Sequence, residues 1–312
     1  MFLLQPPQVA DLQPFTRLPD RFRERQHSDW SRANRGGQPT DSFLEGPVVD
    51  DQGNLYVTDI PFGRIFRIDM AGDSSEWTLI AEYDGEPNGM KLMDAHTLLI
   101  TDYKNGLMRL DMASGRVEPW LERRNSERFK GVNDLVFDSQ GNLYFTDQGQ
   151  TGLHDPTGRL YRLRPSGQLD LLLGNVPSPN GVALSPDEKV LYLAVTRGNC
   201  IWRVPLLADG SVAKVSQFFT SYGASGPDGL AVDQGGRLLV ANPGLGYVWV
   251  LNTRAEPELV LRGTPGASIT NLAFGGPARG TLYVTDSTHG TVLRAEPGVP
   301  GLALHCAAAG NQ

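Results

Sequence analysis

Short apolar runs and polar turns follow one another along this chain, and they keep returning in the same order. In the first unit Leu44 to Asp50 is an apolar run, Asp51-Gln52-Gly53-Asn54 is a turn, and Leu55 to Thr58 is a second run. Phe62-Gly63 turns the chain again, Arg64 to Asp69 alternates as RIFRID, and Glu76 to Tyr83 supplies a fourth segment. Alternation with period two marks a half-buried strand, and Gly, Asn and Asp mark the turns between strands. With no helical period in the unit, four short antiparallel strands are predicted.

The unit recurs six times. Its second strand reads GNLYVTD (Gly53 to Asp59), HTLLITD (His96 to Asp102), GNLYFTD (Gly141 to Asp147), KVLYLAV (Lys189 to Val195), GRLLVAN (Gly236 to Asn242) and GTLYVTD (Gly280 to Asp286). The last residues of these phrases lie 43, 45, 48, 47 and 44 positions apart. Six four-stranded units at this period predict an all-β chain, a six-bladed β-propeller with four antiparallel strands per blade. Residues 44–312 form the propeller as a single domain, and residues 1–43 form an N-terminal extension. Within that extension Phe15-Thr16-Arg17-Leu18 is expected to act as an outer strand that pairs with the last blade and closes the ring, because an open edge strand invites aggregation. The polar stretch from Gln26 to Asp41 then becomes a long connection.

Composition narrows the class. The 36 Gly and 22 Pro recur at intervals and do not cluster, so they read as turn punctuation. The formal charge is −7, and no long Lys/Arg run appears. That excludes an obvious grip on phosphate backbones; RFRER (Arg21 to Arg25) reads as a solvated face. No stretch of about 18 apolar residues is present, so no membrane span is expected. The start, MFLLQPPQVADLQPF, lacks a basic segment and a long apolar core, and a cytoplasmic location is the expectation. Cys200 and Cys306 allow one disulfide by count and no disulfide framework; Cys200 reads as a packing residue. The expected partner is a small-molecule substrate, with neither nucleic acid nor membrane. Oligomeric state stays open.

Candidate chemistry lies in phase with the repeat. Just before each innermost apolar run sits one polar residue: Glu45, Asn88, Asn133, Asn180, Asp228 and Asn271, spaced by 43, 45, 47, 48 and 43 residues. The innermost strands of a propeller line its channel, so six oxygen-bearing side chains should converge at one mouth. Two carboxylates and four amides, without sulfur or imidazole, suit a hard divalent cation. Ca²⁺ tolerates irregular rings of about six to eight oxygens and fits best; Mg²⁺, Mn²⁺ and Zn²⁺ are the other candidates. Asn88, Asn180 and Asp228 each precede Gly, and such pairs are common turn residues. Turn chemistry explains neither Glu45 nor the shared phase.

Neighbouring strands run oppositely, so Asp59, Asp102, Asp147 and Asp286 return to the same mouth. The Thr-Asp phrase reads as a turn bond to a neighbouring amide for Asp59, Asp102 and Asp286. Asp147 precedes the longest mouth loop, Gln148 to Thr157, which carries His154, and is a candidate for the substrate wall. The wall is expected from the loops after the second strands, which offer Phe62, Tyr103, Lys104, Gln148, His154, Arg197, Leu245 and His289. No phosphate loop, Ser-centred nucleophile elbow or zinc spacing is present.

The segments EGPVVDDQGNLYVTD, GVNDLVFDSQGNLYFTDQG, SPNGVALSPDEKVLY and GPDGLAVDQGGRLLVAN together resemble the senescence-marker-protein / gluconolactonase / luciferin-regenerating-enzyme family over about residues 43 to 295. The resemblance implies a catalytic divalent metal held by the Glu of EGP, the Asn of ND, the Asn of PNG and the Asp of PDG: here Glu45, Asn133, Asn180 and Asp228. It gives Asp228 the role of base or nucleophile. Sugar lactonases of the family carry Arg two residues before the ND Asn; here that position is Gly131, and Lys130 is the candidate replacement. The implied activity is metal-dependent opening of a small lactone ring, with Asn88, Lys130, Asp147, Gln148, His154 and Asn271 placed around the substrate. A phosphotriesterase-like hydrolase and a non-enzymatic ligand-binding propeller with structural calcium are the alternatives.

Overall fold

The computed structural model describes residues 5–70, 75–303 and 305. Six sheets of four antiparallel strands stand around a channel, as the repeat predicts. The first blade is Leu44–Val49, Asn54–Asp59, Arg64–Asp69 and Glu76–Glu82, from axis to rim. Its inner strand is buried throughout, whereas Arg64–Asp69 alternates towards the solvent, following the RIFRID pattern. Apolar faces of successive blades meet in separate clusters, one of which joins Val48, Tyr56 and Ile65 to Met90, Leu98 and Ile100. The core is therefore a ring of seams between blades.

The N-terminal segment is woven into two blades. Gln13–Arg17 pairs antiparallel with Thr291–Ala295 and supplies the outer strand of the sixth blade. Gln8–Asp11 lies parallel to Pro257–Arg262 and adds a fifth strand to the fifth blade. The polar stretch that follows contains one short helix, Asp29–Asn34, with a Ser28/Ser31 capping box. Its Trp30 is buried against Phe43, ring centroids 4.6 Å apart, beside the start of the first inner strand.

One irregularity recurs. Leu44 faces Asp59 and Glu45 faces Thr58, yet Val48 faces Tyr56, so the inner strand gains one residue over its partner. The same extra residue appears between Pro87 and Met90, Val132 and Leu135, Pro179 and Val182, and Ile269 and Asn271. A bulge re-aims side chains, and here it falls on the polar ring positions. Asn88 and Asn180 are thus bulge residues and not turn residues, whereas Asp228 lies two residues ahead of its inner strand, Leu230–Val232, which pairs without a bulge. The glycines serve close approach: a Cβ on Gly181 would lie 2.3 Å from the Asp228 carbonyl oxygen, and one on Gly46 would lie 2.0 Å from that of Asn88.

Hydroxyls stitch the blades at the same level. Thr58 Oγ1 donates to the Asn88 carbonyl at 2.9 Å, Thr146 Oγ1 to that of Asn180 at 2.8 Å, and Ser287 Oγ to that of Leu44 at 2.6 Å. The other end of the channel is mostly apolar, with Lys91, Glu188 and His305 among its lining. A cavity of about 190 Å³ there is lined by Val48, Val136, Val182, Leu230 and Phe274 and covered by Leu302. Cys200 is buried among Leu193, Val195 and Val204; Cys306 lies outside the described residues. No helix among the described residues is long and apolar enough to cross a membrane.

Gly181→Ala should cost at least about 2 kcal/mol of unfolding free energy, because the backbone of the next blade cannot retreat. Gly174→Ala, where nothing lies nearer than 3.6 Å, should be near neutral. Denaturant titration of both variants checks the contrast.

Candidate active site

Five ring residues sit at the start of an inner strand beside its bulge, and Asp228 lies two residues ahead of Leu230–Val232. Glu45 is 3% exposed, and Asn88, Asn133, Asn180 and Asn271 are likewise buried. Asp228 alone keeps partial access to solvent. Contacts tie the ring together: the Asn271 amide donates to Glu45 Oε2 at 2.8 Å, and the Asn180 side chain bonds the Asp228 carboxylate.

The electrostatics are those of two acids sharing one enclosure. Desolvation pushes the Glu45 carboxyl from its ordinary 4.5 to about 7, against hydrogen bonds from the Gly46 amide and Asn271, and the nearby charge of Asp134 adds to the rise. Asp228 is raised well above its ordinary 3.8, first by desolvation and then by the charges of Glu45 and Asp134; Asn180 and Arg197 pull it down. Low dielectric disfavours an isolated carboxylate, and a second one nearby disfavours it further. A divalent cation between them would reverse both effects.

The amides test whether a cation fits. The Asn133 NH₂ donates to Gln148 Oε1 at 3.0 Å, and the Asn180 side chain donates to Asp228, so each keeps a carbonyl oxygen for another partner. Asn88 makes no side-chain hydrogen bond among the described residues. Asn271 is different: its NH₂ is held by Glu45 and its Oδ1 accepts the Leu272 amide at 2.8 Å. Asn271 therefore orients Glu45, and its oxygen is already engaged by the Leu272 amide. Among the described residues no cluster of three or more His, Cys, Asp or Glu could hold a metal. The fit is that of an oxygen-only site, two carboxylates completed by amide oxygens, which suits Ca²⁺ or Mg²⁺ and leaves open positions for water.

The second-strand acids are structural in their bonding. Asp59 Oδ1 accepts the Phe43 amide, Asp102 Oδ2 the Glu86 amide, Asp286 Oδ1 the Ser268 amide and Asp147 Oδ1 the Gly131 amide, all at 2.7–3.0 Å. Each binds the chain just ahead of its own inner strand. Asp147 is fully buried, and Arg159 lies 3.8 Å from its other oxygen. The Lys130 ammonium is bound by Thr157 Oγ1 at 2.6 Å on the exposed side of the mouth loop. His154 packs against Gly152 beside Arg197. Arg197 makes no hydrogen bond or ion pair among the described residues, and it is the cation whose charge acts on Asp228. In front of Gly131, whose φ is +151°, stands the Tyr103 ring; a Cβ there would be 2.6 Å from it. Position 131 thus admits no side chain while Tyr103 holds this place. The sequence reading passed over Asp134, because an acid in an apolar strand is out of phase with the ring, and Ser178, whose φ of +61° nothing local announces.

A six-bladed propeller with two acids and carbonyl-presenting amides at one mouth defines the class, and comparison with known proteins gives the family. Residues 43–288 match the model of the SMP-30/Gluconolactonase/LRE-like region, and the chain belongs to this family. It is 31% identical over 226 residues to lactonase drp35 of Staphylococcus haemolyticus, covering 69% of this chain and 67% of that one. It is 29% identical over 274 residues to a gluconolactonase of Zymomonas mobilis, covering 78% and 76%. A calcium-binding regucalcin of Agrobacterium tumefaciens shares the fold, with a TM-score of 0.75 at 21% identity over 96% of this chain and 99% of that one.

The raised acids set a pH dependence. Folded Glu45 holds its proton up to about 7, whereas the unfolded group releases it near 4.5, so the folded state binds more protons between those values. Stability of the chelated protein should therefore fall as pH rises from about 5 to 7. Excess Ca²⁺ and Glu45→Gln should each reduce the slope by the share of Glu45; Glu86, which burial also raises to about 7, keeps the remainder. Melting temperatures in EDTA and in Ca²⁺ across this range check the sign; a rise through the window in EDTA would contradict it.

Proposed function

We propose that this protein is a hydrolase that opens a small lactone ring at a divalent cation, Ca²⁺ for preference, in the mouth of its channel. The observation that carries the reading is the pairing of buried Glu45 with Asp228, the one ring acid open to solvent, among amides whose oxygens stay free. The relatives named lactonase and gluconolactonase support an enzyme acting on ester bonds.

Glu45, Asn133, Asn180 and Asp228 would hold the ion. When bound, it polarises a carbonyl and stabilises developing negative charge. Asp228 takes a proton from the water that attacks the lactone carbonyl carbon, and returns that proton to the ring oxygen as the C–O bond breaks. The Asn180 amide holds Asp228 in register, and Asn271 holds Glu45. Asn88 faces the substrate with its amide unengaged. Tyr103, His154 and Arg197 form the wall. With Lys130 bound to Thr157, Arg197 is the better placed cation. An aromatic face at Tyr103 in place of a side chain at 131 suits a lactone less hydroxylated than an aldonolactone as well as the sugar ring itself.

Asp228→Asn should lower kcat on the best lactone by about 10²–10⁴-fold, the usual worth of a positioned base. A panel of an aldonolactone, a simple γ-lactone and an aryl phosphotriester, run with and without EDTA, checks the class. Turnover of the phosphotriester alone would replace the lactone reading, and activity indifferent to EDTA would remove the cation from it. Chelation should also lower the melting temperature, because a ligand that binds only the folded state stabilises it.

A further inference from the structure

An asparagine can serve a cation only one way round. Its oxygen ligates and its NH₂ repels, and the two ends differ little in shape. Asn133 therefore needs something to tell its carboxamide which way to point. The structure offers one partner for it among the described residues, Gln148, whose Oε1 accepts the Asn133 NH₂ at 3.0 Å. Gln148 has the same ambiguity, and its own NH₂ donates to Ser178 Oγ at 2.9 Å.

Ser178 is held by a short circuit of the same loop. Its amide donates to Thr151 Oγ1 at 3.1 Å, and Thr151 Oγ1 donates to the Gln148 carbonyl at 2.6 Å. The Gln148 amide is pinned to the Gly131 carbonyl at 2.8 Å, two residues ahead of Asn133. Ser178 is 3% exposed and adopts φ +61°, a left-handed conformation that costs a non-glycine residue free energy. Glycine would be the economical residue there if only backbone shape mattered. The serine supplies a hydroxyl at the one place where Gln148 needs a partner.

We infer that Gln148 is a positioning residue, anchored by Ser178, that fixes the Asn133 carboxamide with its oxygen towards the channel axis. The inference rests on the cation proposed above. It assigns the Gln148–Ser178–Thr151 circuit, which joins the mouth loop to the third and fourth blades, to metal affinity and not to contact with substrate. Partners of this kind typically carry about 10–100-fold in metal affinity.

The test is Ca²⁺ binding by isothermal titration calorimetry on the metal-stripped full chain, with the melting temperature of each stripped variant as control. Gln148→Leu should weaken Ca²⁺ at least about tenfold. Gln148→Glu keeps the acceptor, and Ser178 can donate to it, so its affinity should be no weaker than wild type. Ser178→Gly should weaken Ca²⁺ while leaving the melting temperature unchanged or higher, since it relieves the left-handed strain. Asn133→Asp gives the ligand two equivalent oxygens, and in that background Gln148→Leu should cost nothing or tighten binding by removing a facing oxygen. Gln148→Glu as weak as Gln148→Leu would mean that the two amides face the other way and would overturn the assignment. Equal losses from Gln148→Leu in the wild-type and Asn133→Asp backgrounds, or a Ser178→Gly loss that tracks lost stability, would reduce Gln148 to packing. Wild-type protein that binds no Ca²⁺ would overturn this assignment together with the cation; bound Ca²⁺ unaffected by these variants would overturn this assignment alone.

Discussion

Five of the six ring positions at the mouth depend on one extra residue in the inner strand. A regular antiparallel pair would send successive side chains alternately to the two faces of a blade. The bulge at Glu45, Asn88, Asn133, Asn180 and Asn271 breaks that alternation and re-aims one side chain in each of five blades. With Asp228, ahead of the unbulged strand Leu230–Val232, they crowd a single ring. The glycine after the ring residue is a consequence, since the carbonyl of the next blade occupies the space of its Cβ at Gly46 and Gly181. Thr58, Thr146 and Ser287 then bond those carbonyls across the seams. Geometry for chemistry and cohesion between blades therefore come from the same few residues.

That geometry concentrates negative charge. Glu45, Asp134 and Asp228 lie within each other's field in a poorly hydrated space, and each carboxyl is raised mainly by desolvation. A fold would not gain from such an arrangement by itself, because a buried acid without a counter-charge costs free energy. The surrounding amides change the balance. Asn271 orients Glu45, Asn180 bonds Asp228, and Gln148 takes the NH₂ of Asn133, so donors face protein acceptors and carbonyl oxygens remain. The mouth gathers carboxylates and amide oxygens of the kind that suit a cation, while the cavity at the far end is lined mostly by apolar side chains, Leu302 among them.

The propeller was legible because each blade repeats a pattern of period two within a period near 45, and six copies leave little freedom of architecture. The ring residues were legible for the same reason: phase in a repeat is position in the ring. Asp59, Asp102 and Asp286 follow the Thr-Asp reading, each bonding an amide near its strand. The partners of the mouth-loop side chains were not legible at this level. Lys130 was the natural substitute for a cation absent at 131, yet its ammonium goes to Thr157, twenty-seven residues away in sequence, and Tyr103 from the preceding blade fills the place. Gln148 and Asn271 read as groups around the substrate because a sequence shows that an amide is present and not what it donates to.

Spacing along the chain is enough to dictate the blade count, the strand order within each blade and which six side chains share the mouth. Contacts made on folding determine which amides are free to ligate, which acids are taken up by backbone bonds, and which cation reaches Asp228. Those outcomes depend on meetings between blades, where residues such as Asn271 and Glu45, or Tyr103 and Gly131, come together across separations that carry no period. Loops that obey no repeat leave no phase to read, and their side chains find partners only once the ring has closed.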